Sequence, residues 1–357
     1  MFQGAAQVNL DAKGRMAVPT RTRDPLTQGG TVKLVLTAHP DSCLLLYPAP
    51  AWDPIRSQVM AFPSLDRQFS VWKRLLVGFA QDVEIDSAGR LLIPPELREN
   101  LGEIDAAEAH SLPTLITQAD LQGDVHMHTV ETDGRNTIEE MAAAAKERGY
   151  KYMAITDHSK NLAFANGLDD KRAVEHIQRI RAVNDKLGDI RIFAGIEVDI
   201  LADGTLDLSD SVLEQMDIVI ASVHSAFNQS SAEMTDRLLK AVENPNTSLL
   251  GHPTGRLLLR RDAYAFDIDA ILKTAAQKKV AMELNSYPDR LDLNDRHLRL
   301  AKEHGVKIVI NTDSHHTSHM DKIRFGILQA RRAWLTKQDV LNTLPVQKFA
   351  KAMKHGW

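Results

Sequence analysis

The stretch GDVHMHTVETDG, residues 123–134, sets two histidines two positions apart at the end of a short apolar run, with Asp133 in the polar segment beyond. Successive side chains of an extended strand alternate faces, so His126 and His128 point the same way. Six more apolar runs follow: YMAIT, IRIFAGIEV, DIVIASV, SLLGH, VAMELN and KIVINT. Helix-like segments separate them, among them NTIEEMAAAAKERGY, KRAVEHIQRIRAVNDKL and IDAILKTAAQKK. Short β-branched strands alternating with helices predict a parallel, barrel-like α/β domain from residue 121 onward. Barrels of this build do their chemistry at the C-terminal ends of the strands.

Those ends carry a recurring residue type. The second run closes on Thr156-Asp157-His158 and the third holds Glu197. The fourth closes on Val223-His224, the fifth on Gly251-His252-Pro253 and the seventh on Asp313-Ser314-His315. With His126, His128 and Asp133 these make nine imidazole or carboxylate candidates. Any one of them reads as readily as a hydrogen-bonded loop residue, and Asp157 as a cap for the segment that follows. Their recurrence from strand to strand points instead to a metal cluster. Cys43 is the single cysteine, so the ligands are nitrogen and oxygen, a set that suits Zn²⁺ or Mn²⁺. His176, His297, His304 and His355 lie on polar helical or terminal stretches and are expected to be ordinary structural histidines. His316 and His319 follow His315 and stay open.

The first hundred residues have another character. VNLDAKGRMAVPTRTR (8–23) and VEIDSAGRLLIPPELR (83–98) superpose at an offset of 75. Each reads as a β-hairpin, with Gly14 or Gly89 free to take positive φ in an Asp-x-x-Gly-Arg turn and Pro19 or Pro94 ending the second strand. Between them, Asp53 to Phe79 has helix-like spacing around Trp72, Leu75 and Leu76. Lys+Arg and Asp+Glu number 11 and 10 over residues 1–100, and the whole chain carries a formal charge of −4. Neither part is strongly basic, so any nucleic-acid contact must come from local clusters. With 43% apolar and 25% charged residues, and no long uninterrupted apolar run, the composition fits a globular protein with no membrane partner. The N-terminus lacks the basic head and apolar core of a secretory signal, and a cytoplasmic setting is expected, with nucleoid association left open.

The paired D-x-x-G-R hairpins, the opening MFQGA, CLLLYP (43–48) and WKRLLVG (72–78) resemble the MraZ family of bacterial DNA-binding regulators, built from two AbrB-like swapped-hairpin halves. That resemblance implies a β-rich DNA-binding domain over residues 1–98, with Lys13, Arg15 and Arg90 as contacts to duplex DNA and a homo-oligomer formed through this part. The chain lacks the last part of the MraZ pattern after the second hairpin.

The succession H-x-H, ITDH, GIE, SVH, GHP and TDSH resembles the PHP (polymerase and histidinol phosphatase) superfamily, whose distorted (β/α)7 barrels hold three divalent metals. NLAFANGLDD, GIEVDILADGTLDL, HPTGRLLLRRDAY, NSYPDRLDL and FGILQARRAWL are similar to the C-terminal PHP domain of bacterial family-X DNA polymerases. The resemblance implies a PHP domain over 121–357, preceded by a linker over 99–120. It implies two to three ions, Zn²⁺ or Mn²⁺: one held by His126, His128, Glu197 and Asp313, a second by Glu197, His224 and His252, a third by Asp133, His158 and His315. Glu197, Asp313 and Arg256 are the expected catalytic residues. Lys160, Arg256, Arg260, Arg261 and Arg290 are the expected phosphate-binding set, because a guanidinium pairs bidentately with phosphate oxygens.

IPPELREN (93–100) fits both the end of the second hairpin and the segment before the polymerase-type PHP domain, so one resemblance passes into the other within a shared stretch. No helix-hairpin-helix run and no Gly-Ser nucleotidyltransferase signature is found, and polymerase activity is not expected. The reading is a metal-dependent phosphoesterase acting on DNA 3′ ends, as a 3′–5′ exonuclease or 3′-phosphatase. The alternatives are a small-molecule phosphatase of the histidinol-phosphate type and a MraZ-like transcriptional regulator carrying a passenger barrel.

Overall fold

A computed structural model describes residue 11 and residues 13–27, 33–39, 43–61, 73–78, 80–94 and 112–357. The chain divides into two compact units, Met1–Leu112 and Pro113–Trp357.

In the first unit the two Asp-x-x-Gly-Arg motifs form the expected turns. The Asp11 and Asp86 amides donate to the Arg15 and Arg90 carbonyls (2.9 and 2.7 Å), with Gly14 and Gly89 at φ 74° and 76°. Strands β1 (Arg15–Ala17) and β5 (Arg90–Leu92), which leave those turns, pair antiparallel with each other, Met16 opposite Leu91. The Val18 amide donates to Gly89 O at 3.0 Å and the Ile93 amide to Gly14 O at 3.1 Å. These positions correspond under the 75-residue offset, so the sequence repeat becomes a local pseudo-twofold through the Met16–Leu91 pair. A second sheet has the order β3-β2-β4, from β2 (Lys33–His39), β3 (Cys43–Pro48) and β4 (Gln81–Glu84).

The helical spacing expected from Asp53 to Phe79 is divided. A helix spans Ala49–Ala61, starting earlier than expected, and Lys73–Val77 forms a separate turn that buries Leu76. Trp72, the strand residues 8–10 of the first hairpin and the shared stretch 95–100 lie outside the described residues.

The second unit is built on seven parallel strands in the order β12-β11-β10-β9-β8-β7-β6. They are β6 (Gly123–Asp124), β7 (Tyr152–Ile155), β8 (Arg191–Asp199), β9 (Ile218–Ser222), β10 (Leu249–Leu250), β11 (Ala281–Asn285) and β12 (Ile308–Asn311). All seven runs picked from the sequence are strands, and the sheet curls into a nearly closed barrel. Outward side chains pack against helices such as Ile138–Glu147, Asp170–Leu187 and Ile268–Lys278. A separate inward cluster holds Tyr152, Phe193, Ile218, Ile220, Leu249, Ala281 and Val309, and Phe349 of the C-terminal helix Val346–His355 plugs it from below. The Phe349 ring lies 4.6 Å from that of Tyr152.

Following the inward face upward explains where a site can form. On β8, Phe193 is followed four residues later by Glu197; on β11, Ala281 by Glu283 and Asn285; beyond β9, Ile220 by Ser222 and His224. The strand period of two keeps these on one side, so the barrel is greasy at the bottom and ionisable at the mouth.

Strands β6 and β12 share no continuous ladder, and the gap is sewn by side chains and single bridges. The fully buried Asn342 donates from Nδ2 to the carbonyls of Gly123 (2.8 Å) and Ile310 (2.7 Å) and accepts the Ile310 amide (3.1 Å). Nearer the mouth, the His128 amide donates to Ser314 O at 2.9 Å and the Ser314 amide to His126 O at 3.2 Å. This seam sets two ligand candidates beside two others.

Residues 113–120 differ from the expected linker. Ile116 is fully buried in the barrel core and its amide donates to Leu335 O at 3.0 Å, because an apolar side chain at this point finds cover on the barrel. Among the described residues no helix is long and apolar enough to cross a membrane.

Replacing Asn342 by Leu leaves three buried backbone groups without partners, each costing about 1–3 kcal/mol. Denaturant unfolding of the barrel should show a loss of about 3 kcal/mol or more; an unchanged midpoint would show that the seam closes without it.

Candidate metal centre

Glu197, only 1% exposed on β8, is the hub of the barrel mouth. Its Oε1 lies 2.9 Å from His252 Nε2 and 3.3 Å from His224 Nε2; its Oε2 lies 2.9 Å from His158 Nδ1, 3.3 Å from His126 Nε2 and 3.5 Å from His128 Nε2. Asp313 Oδ1 stands 3.1 Å from His128 Nε2, 3.6 Å from His315 Nδ1 and 3.7 Å from His126 Nε2. Asp133 Oδ1 faces His315 Nε2 (3.4 Å), His158 Nε2 (3.5 Å) and His128 Nδ1 (4.0 Å). All nine sequence candidates therefore meet in one place.

Two donors about 2.0–2.2 Å from a shared ion, at angles between octahedral and tetrahedral, stand roughly 2.9–3.5 Å apart. Most of the spacings above fall in that range. Three donor sets each have their atoms within 4.8 Å of one another: His126, His128 and Asp313; His158, Glu197 and His224; and His128, Asp133, His158 and His315. These follow the expected grouping in outline, except that His128 and His158 are each shared between two sets, Glu197 groups with His158 and His224 and not with His126, His128 and Asp313, and His252 joins through Glu197 Oε1. His126 Nε2, His158 Nδ1 and Glu197 Oε2 are buried, make no hydrogen bond and point at one another. Buried polar atoms are rarely left so, and a cation between them satisfies all three. His252 and Asp313 also hold left-handed backbone, φ 27° and 52°, a cost tolerated mainly where function demands a side-chain direction.

The charges agree with a cationic guest. Burial alone would raise the Glu197 and Asp313 carboxyls, yet the surrounding imidazoles hold both well below the usual range. Burial would lower His126 and His158; instead the carboxylates raise both, His126 chiefly through Glu283 and His158 through Glu197 to about 10. His128 drops to about 4 through burial and its neighbours His315 and His158, and His252 to about 4 through burial and the charge of Arg290.

Several supporting groups escaped sequence reasoning. Glu283 Oε1 accepts from His126 Nδ1 at 2.6 Å and Oε2 accepts the His252 main-chain amide at 2.7 Å, so one buried carboxylate orients one ligand ring and fixes the backbone of a second ligand. Asp199 takes His224 Nδ1 in the same manner. A glutamate inside the run VAMELN, two residues from Asn285 on the inward face, was the available signal. His176, expected to be structural, is buried and bonds Asp157 at 2.8 Å, while Asp157 accepts from the Thr129 amide and from the Thr129 and Thr132 hydroxyls. Asp157 thereby ties down the loop that carries Asp133. His304 pairs with Asp269 (2.7 Å), and His316 bonds Ser318 (2.8 Å) outside the cluster. His319 Nδ1 accepts the His315 amide at 3.3 Å.

The expected phosphate-binding residues separate. Arg290 alone reaches the cluster, its Nε 3.5 Å from Asp313 Oδ2 and its Nη1 buried without a partner. Arg256 instead donates from Nε to Arg290 O (2.9 Å) and from Nη2 to Leu291 O, so it props the backbone under Arg290. That departs from the direct catalytic role expected for Arg256, because its donors meet main-chain carbonyls first. Lys160 pairs with Asp170 at 2.9 Å and the exposed Arg260 stands 3.7 Å from Asp289. Arg261 lies with its guanidinium carbon 3.8 Å over the Phe227 ring.

In the first unit, Arg15 and Arg90 are each gripped by their own turn aspartate. Nε and Nη2 of Arg15 reach Asp11 Oδ2 at 2.7 Å, and those of Arg90 reach Asp86 Oδ2 at 2.9 Å. Lys13 is exposed, its amide bonded to Asp11. The hydrogen bond from Arg15 holds the Asp11 carboxyl at about 2.

Loading the metal-free protein with Zn²⁺ at pH 7.5 should release protons. The carboxylates favour the protonated form of His126 and raise His158 to about 10, so coordination must displace protons there, whereas His128 and His252, lowered to about 4, have none to lose. Titration calorimetry in buffers of differing ionisation enthalpy reads the proton count; a count of zero would contradict the assignment.

Residues 124–287 match the PHP domain family model and residues 1–70 match the MraZ protein model. Over 268 residues, 75% of this chain, the sequence is 46% identical to the DNA polymerase/3′-5′ exonuclease PolX of Bacillus subtilis, of which that match covers 47%. The chain thus spans about half the length of that polymerase. Transcriptional regulator MraZ of Methylobacillus flagellatus is 62% identical over 102 residues, 29% of this chain and 69% of that protein; MraZ of Dechloromonas aromatica is 61% identical over 99 residues, 28% and 67%. The shares 75% and 29% exceed the whole, so the two matches overlap. A solved histidinol phosphate phosphatase of Lactococcus lactis is 20% identical with a TM-score of 0.44, covering 58% of this chain and 93% of its own. The chain belongs to the MraZ family through its N-terminal part, and its barrel is similar to the PHP domain family.

Proposed function

We propose that the chain is a metal-dependent phosphoesterase that removes nucleotides or phosphate from DNA 3′ ends, with the N-terminal hairpins holding duplex DNA. The observation that carries the reading is Glu197, buried and ringed by five imidazoles, beside an Arg290 guanidinium whose Nη1 has no partner. A cage for cations next to an uncommitted phosphate donor suits ester hydrolysis at phosphorus. The 46% identity to the exonuclease-bearing polymerase favours a DNA substrate over a small ester.

The three-part division proposed is a DNA-binding domain over 1–98, a connecting segment over 99–120 and the catalytic barrel over 121–357. His126, His128, Asp133, His158, Glu197, His224, His252, Asp313 and His315 would hold two to three Zn²⁺ or Mn²⁺ ions. Such ions supply Lewis acidity for phosphoester cleavage.

The chain's own groups prepare the site in stages. Glu283 and Asp199 each engage one ring nitrogen of His126 and His224, leaving the other nitrogen bare for coordination. Arg290 donates from Nη1 to an oxygen of the scissile phosphate. Arg256 acts through Arg290, fixing its main chain by the two carbonyl contacts. Lys13, Arg15 and Arg90 present cations at two turns related by the pseudo-twofold, to contact backbone phosphates of the duplex.

With a 3′-labelled single-stranded oligonucleotide and Mn²⁺, nucleotide release is expected from the wild type and abolished by chelator. Glu197→Ala should lower it by at least about a thousandfold, since it removes a ligand shared between sites. Phosphate release from histidinol phosphate without oligonucleotide cleavage would favour the small-molecule reading. Arg15→Ala should weaken duplex binding in a gel shift while a mononucleotide ester is hydrolysed as before; equal loss of both would contradict the division of labour.

A further inference from the structure

Arg261 is held with unusual rigidity for a surface cation at the mouth of a metal site. Its backbone closes a tight turn, the Arg261 amide donating to Leu257 O at 2.8 Å and the Leu257 amide to Arg261 O at 2.9 Å. The side chain is fixed twice more, by Nε donating to Gly255 O at 2.9 Å and by the stack on Phe227 at 3.8 Å. Phe227 in turn stacks on Tyr264, with ring centroids 6.4 Å apart, and the buried Tyr264 hydroxyl donates to Pro253 O at 2.6 Å. Gly255, at φ 62°, leaves room for this pile: a Cβ there would meet the Tyr264 ring at 2.4 Å.

The platform joins two ligand-bearing loops. Phe227 is three residues beyond His224, and Gly255 three residues beyond His252. Arg261's terminal nitrogens make no hydrogen bond or ion pair among the described residues, unlike Lys160 and Arg260, which face Asp170 and Asp289. Arg261 and Arg290 also lie within electrostatic reach of each other, two like charges of which Arg290 has an acid in range, Asp313 Oδ2 at 3.5 Å from its Nε, while Arg261 has no ion pair among the described residues. That repulsion is relieved when each cation meets its own anion.

We infer that the Arg261–Phe227 stack is a second phosphate subsite, taking the phosphate that precedes the scissile one in a nucleic-acid strand. It makes the barrel selective for a chain carrying two successive phosphates over an ester carrying one. This rests on the hydrolytic reading given above, which assigns the scissile phosphate to Arg290. A lysine would keep the charge but lose both the stack and the planar fork, so the subsite depends on arginine specifically.

The test compares two dinucleotides in Mn²⁺, TpT with the scissile phosphate alone and pTpT with an added 5′-phosphate. Wild type is expected to prefer pTpT in kcat/KM by about tenfold, the scale of one charge-assisted hydrogen-bond pair. In Arg261→Lys and in Phe227→Leu that ratio should fall towards one, with the gain lost mainly from KM and with metal content per chain equal to wild type. Equal rates on the two substrates in the wild type overturn the inference alone. So does a preference that survives in both variants, or a loss in both variants that is equal for the two substrates. Failure of the wild type to cleave either dinucleotide overturns the exonuclease reading and this inference with it.

Discussion

A single buried carboxylate facing five imidazoles is the constraint on which the barrel mouth turns. Glu197 has two oxygens, and five ring nitrogens lie within 3.5 Å of them. Hydrogen bonds cannot satisfy so many donors and acceptors at once, which is why His126 Nε2, His158 Nδ1 and Glu197 Oε2 are left bare. Only protons shared unevenly, or cations, can settle that arrangement, and the opposed shifts of His158 and His128 are its electrostatic trace. Glu283 and Asp199 resolve half of the ambiguity by claiming one nitrogen of each ring they touch, turning flexible imidazoles into directed ligands.

The rest of the barrel keeps that arrangement in register. Its inward faces run from Phe193 and Ile220 at the bottom to Glu197 and His224 at the top, so the apolar plug around Phe349 excludes water from below while the mouth stays ionisable. Closure between β6 and β12 relies on Asn342, whose amide stands in for a missing length of ladder. That substitution matters for chemistry because His126 and His128 leave β6 on one side of the seam while Asp313 and His315 leave β12 on the other. The N-terminal unit uses another device, a repeat folded back on itself so that Gly14 and Gly89 each accept a bond from the opposite copy. Both units therefore place their charged groups at backbone features that sequence symmetry or strand period already imposes.

Much of this was legible in one dimension because strand period and turn chemistry are local. The seven apolar runs with intervening helices announce the parallel barrel, and histidines or acids closing strand after strand announce the cluster. Asp-x-x-Gly-Arg announces the turns, since glycine alone takes φ near 75° without cost. The misreadings share one cause, dependence on partners remote in the chain. Arg256 looked like a phosphate ligand until the loop at 290–291 supplied carbonyls for it. Ile116, assigned to a linker, is drawn into the barrel core by apolar burial.

Residue type and spacing alone determined the repeat, the strand order along the chain and which side chains could carry metal chemistry. Tertiary structure alone decided which nitrogen of each histidine faces inward, which acids orient rather than coordinate, and which arginines stay uncommitted. The physical reason is that these depend on distances of a few ångströms between residues far apart in the chain, such as His224 with Asp199, 25 positions away, and His128 with Asp313, 185 positions away. Chain closure brings such pairs together, and no local pattern encodes the partner that arrives first.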